Sequence, residues 1–411
     1  MDSRRRSYLA AAGSVVTGIL AGCPGFLRPS DGPSGRNRTG TGVDGASLQL
    51  PETVENAYPQ YQYDAANTGT VPDVSGPTGA VTSLFEFGRA GFTPSHRMGS
   101  PSLRDGRLYL TEGRIDGAGD GETFVYALDA VDGSRQWATM YRGTNAAGPT
   151  AVTDDLVLAT VGEELVGLAA TTGVEQWSFD RGVQSGITVD GDTVYVVGRA
   201  DGSATLYSLS AADGSLDWQT PVDADTAPVT PAVADGTVYT GGNTLQAFDA
   251  ATGETEWTAD CIVTAPATVT GERVVVGSGT AVRVFDRADG TEQWSNGVET
   301  YGNQESPAVT NPPAVTDDTI YAVADRGLTA LSLTGSQHRY TVEIGIDGTP
   351  VVADGFIYLF GRGQLTCRAA ADGRTEWTYG TRQRTSPGGA APVVGDNVAF
   401  FPAERLYAIA G

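Results

Sequence analysis

The sequence contains no lysine: all 26 basic residues are arginines, and 49 acidic residues outnumber them to give a formal net charge of −23. This acidic excess argues against a nucleic-acid partner, because binding to phosphates needs clustered positive charge. It also predicts a protein adapted to high salt, where the Debye length falls to roughly 3 Å at molar ionic strength and self-repulsion is screened. We therefore expect a halophilic microbe as the source.

Cysteine and histidine are scarce as well, with three and two residues. His96 and His338 lie far apart in the chain, so we expect neither a zinc site nor a histidine-based catalytic triad. Cys261 and Cys367 stand within or beside strand-like segments and are predicted to be small, buried, apolar residues. A disulfide between them is the alternative that an exported protein leaves open.

The apolar run near the N-terminus, residues 10–21, is shorter than the about 20 residues that span a bilayer. The preceding Arg5-Arg6-Ser7-Tyr8-Leu9 resembles a twin-arginine export signal, and Leu20-Ala21-Gly22-Cys23 resembles a lipoprotein cleavage box. We therefore expect residues 1–23 to be a signal, Cys23 to be lipidated, and the body to lie at the outer face of the cytoplasmic membrane. A short membrane anchor with an incidental cysteine is the alternative.

Two further regions follow the signal. Residues 24–57 are rich in Gly, Pro, Ser, Thr and Arg, which predicts a flexible linker that buries no core. Residues 58–411 repeat one pattern, which is clearest at 245–257: an alternating strand, a Thr-Gly turn, and a second strand ending on tryptophan.

The copies of this pattern end on aromatic residues that by subtraction lie 40, 41, 39, 37, 46 and 37 residues apart. These aromatics are Trp137, Trp177, Trp218, Trp257, Trp294, Tyr340 and Trp377. A period near forty, with four strand-like segments joined by Asp-Gly and Thr-Gly turns, is typical of a β-propeller with four-stranded antiparallel blades.

Seven full repeats end at these aromatics, and residues 391–409 supply three strands of an eighth. The missing fourth strand has a candidate far upstream at Leu84-Phe85-Glu86-Phe87-Gly88, where Phe85 aligns with Trp177. Pairing the two chain ends within one blade leaves no open sheet edge at the seam. We therefore predict an all-β fold, an eight-bladed β-propeller closed by an N-terminal strand. A seven-bladed ring with a half repeat and an open solenoid are the alternatives.

The two faces of such a ring differ in their connections. Turns after the first and third strand of each blade share one face, and this set is uniformly tight. Connections after the second and fourth strands share the other face, and they include four long excursions at residues 88–99, 112–123, 295–313 and 380–390. Because functional residues concentrate on loops held by a rigid scaffold, we expect the binding surface on this second face.

The pattern Ala-x-Asp-x-x-Thr-Gly-x-x-x-Trp at residues 247–257 resembles the repeat of the pyrroloquinoline-quinone (PQQ) propeller family. The resemblance covers residues 58–411 and implies eight blades, with each tryptophan docked between neighbouring blades. It is much less specific for activity, because the family contains quinoprotein alcohol dehydrogenases and a non-catalytic, BamB-like lipoprotein branch. Residues 58–69 are similar to the segment that precedes the first blade in that branch.

The catalytic branch, as the resemblance implies, holds a calcium ion against the quinone and covers the cofactor with a vicinal Cys-Cys disulfide. No two cysteines are adjacent here, so neither PQQ nor calcium is expected, and the aspartates of the repeat are predicted to serve turns. Residues 116–122 alternate carboxylates and carbonyls, but Ala118 and Ala127 replace EF-hand ligands. An extended loop is therefore favoured over a metal site there.

These observations predict a monomeric, non-enzymatic scaffold that binds a protein or cell-envelope partner through its loop-rich face. The alternative is a PQQ- or metal-dependent quinoprotein dehydrogenase, and a second alternative is a saccharide-binding surface module with Tyr301 as its candidate aromatic. Arg382 and Arg384, with Arg89 and Arg97 at the seam, are candidates for a basic patch that binds an anionic partner. Ion pairing with acidic neighbours is the other interpretation of these arginines.

Overall fold

The computed structural model describes residues 53–54, 57–88, 97–115, 119–225, 229–298, 308–325, 327–335, 337–344, 348–361, 363–381, 390–403 and 405–411. Within these ranges the chain forms 34 strands and no helix. It follows that none of the described segments is a helix capable of crossing a membrane.

The strands are arranged as eight antiparallel blades, preceded by β1 (Thr70–Val71) and β2 (Thr82–Phe87). Blade 1 contains β3 (Arg97–Met98), β4 (Ser102–Arg104), β5 (Arg107–Ile115), β6 (Gly121–Asp129) and β7 (Arg135–Arg142). Blade 2 contains β8 (Thr150–Val152), β9 (Leu156–Val161), β10 (Glu164–Ala169) and β11 (Glu175–Asp180). Blade 3 contains β12 (Thr188–Asp190), β13 (Thr193–Ala200), β14 (Ser203–Ser210) and β15 (Leu216–Pro221). Blade 4 contains β16 (Ala232–Ala234), β17 (Thr237–Gly241), β18 (Leu245–Asp249) and β19 (Thr255–Ala259).

The second half of the ring continues in the same order. Blade 5 contains β20 (Thr268–Thr270), β21 (Arg273–Ser278), β22 (Ala281–Asp286) and β23 (Glu292–Gly297). Blade 6 contains β24 (Ala314–Val315), β25 (Thr319–Ala324), β26 (Gly327–Ser332) and β27 (His338–Glu343). Blade 7 contains β28 (Val351–Ala353), β29 (Phe356–Gly361), β30 (Gln364–Ala369) and β31 (Thr375–Gly380). Blade 8 contains β32 (Val393–Gly395), β33 (Val398–Pro402) and β34 (Leu406–Ala410).

The turns explain why each blade folds back on itself. Asp105 and Gly106, between β4 and β5, have φ values of 49° and 70°, which suit a two-residue hairpin and favour Asp-Gly. In the second turn type, the Asp249 carboxylate accepts hydrogen bonds from the backbone N–H groups of Ala251 and Thr252 at 3.0 and 2.8 Å. Hydrogen bonds from Thr252 hold the pKa of Asp249 below its usual range, so the turn keeps its ionised acceptor.

The ring closes as an eight-bladed propeller. Strand β2 pairs antiparallel with β34, and Phe85 lies opposite Ala408, so the N-terminal strand completes blade 8. Blade 8 also meets blade 1, because Phe85 packs on Gly133 and Ala391 N–H donates to Ser100 Oγ at 2.9 Å. The predicted fold and seam are confirmed, and the seven-bladed and open alternatives are wrong.

One predicted loop is instead regular structure. Strands β5 and β6 continue through most of residues 112–123, with Glu112 opposite Phe124 and Arg114 opposite Glu122. The Arg114 guanidinium lies 3.8 Å from the centre of the Phe124 ring and 3.4 Å from the Glu122 carboxylate. These cross-strand contacts favour the extended hairpin. The predicted long loop is therefore wrong for residues 112–115 and 121–123, which are strand, while residues 116–118 lie outside the described ranges.

The hydrophobic core is divided among the interfaces between blades. One cluster, for example, joins Leu158, Leu165 and Trp177 of blade 2 to Val194 and Tyr207 of blade 3, all at most 8% exposed. Each blade therefore buries both faces of its sheet against two neighbours. The innermost strands surround a central channel, which is described next.

Candidate functional site: a strapped channel and a loop-rich face

The two ends of the channel have different connections. Within each blade, two or three residues separate the innermost strand from the next, and we call this side the tight-turn face. The opposite side carries the connections between blades, whose lengths differ from one pair of blades to the next, and we call it the loop-rich face. The described part of the N-terminal segment crosses the tight-turn face.

Residues 58–75, which we call the central strap, contact the inner strand or first turn of all eight blades. The strap accepts one hydrogen bond of 2.6 to 2.9 Å from a backbone N–H group of each blade. In blades 1 to 4 the pairs are Leu103 N–H with Tyr58 O, Val152 N–H with Pro59 O, Val189 N–H with Gln60 Oε1, and Val233 N–H with Ala65 O. In blades 5 to 8 they are Val269 N–H with Ala66 O, Val315 N–H with Thr68 O, Val352 N–H with Gly69 O, and Asn397 N–H with Ser75 O. The acceptors follow the chain order of the strap while the donors follow the ring. The strap therefore ties the whole ring together at the tight-turn end of the channel.

The strap also fills this end of the channel with its own side chains. Tyr58, Tyr61, Gln62 and Asn67 are each at most 9% exposed. Asn67 Nδ2 donates to Pro231 O at 3.0 Å and to Ala267 O at 3.2 Å, which connects blades 4 and 5. Burial raises the pKa of Tyr61 to about 12, so its hydroxyl is un-ionised at neutral pH.

Backbone strain accompanies this arrangement. Gln62, Tyr63 and Asn67 have φ values of 60°, 77° and 55°, which non-glycine residues adopt at a cost of about 1–3 kcal/mol each. Such conformations persist only where the surroundings determine them. The hydrogen bonds to eight blades supply that constraint.

The described part of the channel does not fit a calcium-bound quinone. Calcium takes six to eight oxygen ligands, usually with several carboxylates. Of the two carboxylates in the strap, Asp64 lies in the middle of the segment and Asp73 near its end. Asp64 already accepts hydrogen bonds from Thr68 N–H at 2.9 Å and Thr68 Oγ1 at 2.6 Å. In the part of the chain that the structure describes, no three His, Cys, Asp or Glu side chains are grouped to hold a metal ion.

Hydroxyl groups connect the inner strands of successive blades. Thr188 Oγ1 donates to Pro231 O at 2.7 Å, and Thr268 Oγ1 donates to Pro313 O at 2.8 Å. These two threonine hydroxyls are thus satisfied by carbonyl groups of the next blade, whereas the buried Tyr58 hydroxyl and Gln62 side-chain amide of the strap have no hydrogen-bond partner among the described residues. These hydrogen bonds between blades stabilise the ring.

The repeat aromatics bridge neighbouring blades. Five indole N–H groups each donate to a backbone carbonyl of the following blade, at 2.9 to 3.3 Å. The pairs are Trp137 with Ala170 O, Trp177 with Ala211 O, Trp218 with Ala250 O, Trp257 with Arg287 O, and Trp294 with Leu333 O. Tyr340 makes the equivalent bond through its hydroxyl, to Ala370 O at 2.8 Å. Trp377 donates instead to Pro77 O of the N-terminal segment at 2.8 Å, because that segment lies where the next blade's turn would be.

The predicted surface sites fall largely outside the described residues. Tyr301, Arg382, Arg384, Arg89, His96 and the lipidation candidate Cys23 all lie there. Arg97 is exposed at the start of blade 1, and His338 is exposed on β27, where its ring contacts Thr341. Of the predicted binding residues, Arg97 alone lies within the described ranges, so the predicted binding surface stays a prediction. Cys261 and Cys367 are buried and carry no disulfide, so that alternative is wrong.

Sequence reasoning missed the central strap. The signal was present, since residues 58–69 hold three tyrosines and an Asn-Thr-Gly in a segment outside the repeat. Its hydrogen bonds to the blades are made mainly by backbone carbonyl groups, which every residue has, so no sequence pattern indicates them. Only the resemblance to a lead-in segment drew attention to it.

Two kinds of comparison bear on identity. A family model described as "Outer membrane protein assembly factor BamB" matches residues 67–185 and 179–379. The "Outer membrane protein assembly factor BamB" of Yersinia pestis is 31% identical over 206 residues, which cover 46% of this chain and 51% of that protein. This chain thus spans about half the length of that curated relative.

Solved structures share the fold at low identity. The quinohemoprotein alcohol dehydrogenase from Comamonas testosteroni superposes with a TM-score of 0.65 at 12% identity, covering 86% of this chain and 80% of that chain. The quinohemoprotein alcohol dehydrogenase ADHIIG from Pseudomonas putida HK5 gives 0.66 at 13% identity, covering 88% and 83%. At such identities these structures bear on the fold alone. The family model spans well over half of the sequence, and the chain therefore belongs to the PQQ-repeat propeller family described as outer membrane protein assembly factor BamB.

Proposed function

We propose that the protein is a non-enzymatic scaffold, held at the outer face of the cytoplasmic membrane by a lipid on Cys23, that binds a protein partner through its loop-rich face. One observation carries the proposal. The chain's own strap closes and fills the tight-turn end of the channel, and the connections that vary between blades all lie at the opposite end. Membership of the BamB family supports a scaffold over a catalyst.

The competing function is a quinoprotein dehydrogenase, favoured only by the shared fold of the alcohol dehydrogenases. A catalyst of that kind needs a cofactor cradle with carboxylate and amide oxygens. The strap offers Asp64, which is occupied by Thr68. We therefore expect no dye-linked alcohol oxidation when purified protein is supplied with PQQ and calcium; a stoichiometric bound chromophore with turnover would reverse the assignment.

Photo-crosslinking in living cells tests the scaffold proposal. Ile262, 64% exposed in the connection between blades 4 and 5, reports on the loop-rich face. Val174, 46% exposed beside the turn after β10, reports on the tight-turn face and serves as the matched control. A photo-crosslinking amino acid at position 262 should capture one protein repeatedly, and the same group at 174 should not. Equal capture from both positions, or none from position 262, would contradict the proposed binding face.

A further inference from the structure

We propose that the loop-rich face points away from the membrane, so that its partner is a protein outside the bilayer and not one embedded beside the anchor. This inference rests on the lipid anchor proposed above. It follows from the place where the N-terminal segment joins the propeller.

The chain reaches the body on the tight-turn face. Val54 is 2% exposed and, with Thr53, lines a surface groove together with Asp105, Gly106 and Asp129. Asp105 and Gly106 form the first tight turn of blade 1, and Asp129 ends β6 where the second tight turn begins. The segment then pairs Tyr58 with Leu103 and runs over the centre of the ring, so the first described residues enter the body on this face.

The far end of the strap lies on the same side. Ser75 N–H donates to Asp396 Oδ1 at 3.2 Å, and Ser75 Oγ donates to Asp354 Oδ2 at 2.7 Å. Asp354 and Asp396 stand in the first turns of blades 7 and 8. Both ends of the described N-terminal segment therefore lie on the tight-turn face, and we infer that the lipid is connected to this face.

The length of the connecting chain is short relative to the body. Residues 24–52 number 29, and the flexible linker that their composition predicts has a root-mean-square span of about 30 Å at that length. A domain of this size is about 50 Å across. If the loop-rich face pointed to the bilayer, the linker would have to extend by roughly that diameter. A random coil reaches such an end-to-end distance tens of times less often than it adopts its mean span.

Electrostatic repulsion does not reverse this preference at high salt. Turn aspartates such as Asp213 and Asp289 stay ionised on the tight-turn face, since hydrogen bonds from Ser215 and Thr291 lower their pKa. At low ionic strength they would push this face away from anionic headgroups. In molar salt the repulsion is confined to about 3 Å, and the attachment point decides the orientation.

Two positions of equal exposure test the orientation. Ile115, at the end of β5, lies on the loop-rich face, and Leu216, at the start of β15, lies on the tight-turn face; both are 41% exposed. Ile115→Cys and Leu216→Cys are each made in the full-length lipidated protein and labelled with a fluorescent maleimide. The native Cys261 and Cys367 thiols are buried, and burial raises the pKa of both, so they should not react.

The labelled proteins are bound to phosphatidylcholine vesicles that contain a nitroxide-quencher lipid, in about 2 M KCl, where screening is nearly complete. We expect quenching of the Leu216→Cys label to exceed that of the Ile115→Cys label at least twofold. Equal or reversed quenching in protein that floats with the vesicles would overturn the orientation and leave the anchor intact. Full-length protein that fails to float, as the Cys23→Ala variant should, would overturn the anchor and the orientation together.

Discussion

At the scale of single residues, the stability of the ring depends on one contact repeated between blades. An aromatic ring of one blade lies on a glycine in the turn of the next, as Trp137 does on Gly173. That glycine has a φ of 69°, so two separate requirements exclude a side chain there: the left-handed backbone and the ring above it. The Thr-Gly and Asp-Gly turns of the repeat are therefore parts of the interface between blades as well as turns.

A pair of glycine variants separates these two requirements. Gly191 has a similar φ of 58° but no atom within 4 Å of an added Cβ, whereas a Cβ on Gly173 would lie 2.4 Å from Trp137. Gly191→Ala should cost about 1–2 kcal/mol from backbone strain alone. Gly173→Ala should cost about 1–3 kcal/mol more, because the indole has to move. Denaturant unfolding in molar salt measures both, and equal losses would show that the ring contact is unimportant.

The tyrosine in the aromatic position of blade 6 offers a second comparison. Tyr340 replaces the indole N–H with its hydroxyl, which donates to Ala370 O. Tyr340→Phe should lose about 0.5–1 kcal/mol, the low end for a hydrogen bond, because Tyr321 also donates to Ala370 O at 3.2 Å. Tyr340→Trp keeps a hydrogen-bond donor, the indole N–H, and should lose less unfolding free energy than Tyr340→Phe. The free energies of unfolding of the two variants decide the matter, and a larger loss for tryptophan would mean that packing outweighs the bond.

At the scale of elements, the closing strand could be predicted from sequence and the central strap could not. Phe85 marks β2 as a blade strand because it takes the place of the repeat tryptophan, and it packs on Gly133 as Trp137 packs on Gly173. The strap forms contacts with residues more than 300 positions away, as between Ser75 O and Asn397 N–H, mainly through backbone groups that any residue carries. Long-range bonds of this kind have no local pattern.

The prediction of a loop at residues 112–123 was wrong for a different physical reason. The glycines and charged residues of this segment are typical of a loop, but Arg114 stacks on Phe124 and Tyr126 Oη donates to Glu112 at 2.7 Å. Such cross-strand pairs stabilise a sheet only once the register is known. The candidate binding residues, by contrast, were chosen from long connections, and the residues that the structure describes do not include the arginines at 382 and 384 or Tyr301.

Alkaline titration tests the packing of the strap. An unfolded tyrosine ionises near pH 10, and burial raises the pKa of Tyr61 to about 12. Because the folded pKa is the higher one, the stability from this group is complete below pH 10 and is lost as pH rises towards 12. Tyr61→Phe should make the fall in unfolding free energy shallower by about 1.4 kcal/mol per pH unit in that window. Thr349→Val removes the Tyr61–Thr349 contact but keeps the titrating group, so its slope should match that of the native protein.

At the scale of the whole molecule, both ends of the chain are needed to close one ring. Strand β2 supplies the outer strand of blade 8, and the strap contacts the inner strand or first turn of every blade, so residues 58–87 stabilise parts of the body that are synthesised last. Repeat arrays without such closure are stabilised only by contacts between neighbours. Because residues 58–87 contact every blade, we expect the eight blades to unfold as one cooperative unit.

Deleting residues 57–88 should therefore have consequences that deleting residues 24–52 does not. The first deletion removes the strap and exposes the edge of β34, an open strand edge that favours pairing between chains. We expect that variant to unfold at lower denaturant or to sediment as oligomers, while the second variant remains monomeric with unchanged stability. Equilibrium unfolding and sedimentation velocity in molar salt measure both properties. A monomer of native stability after loss of residues 57–88 would mean that the blades hold the ring without the segment, and the strap would then be only a cover over the channel.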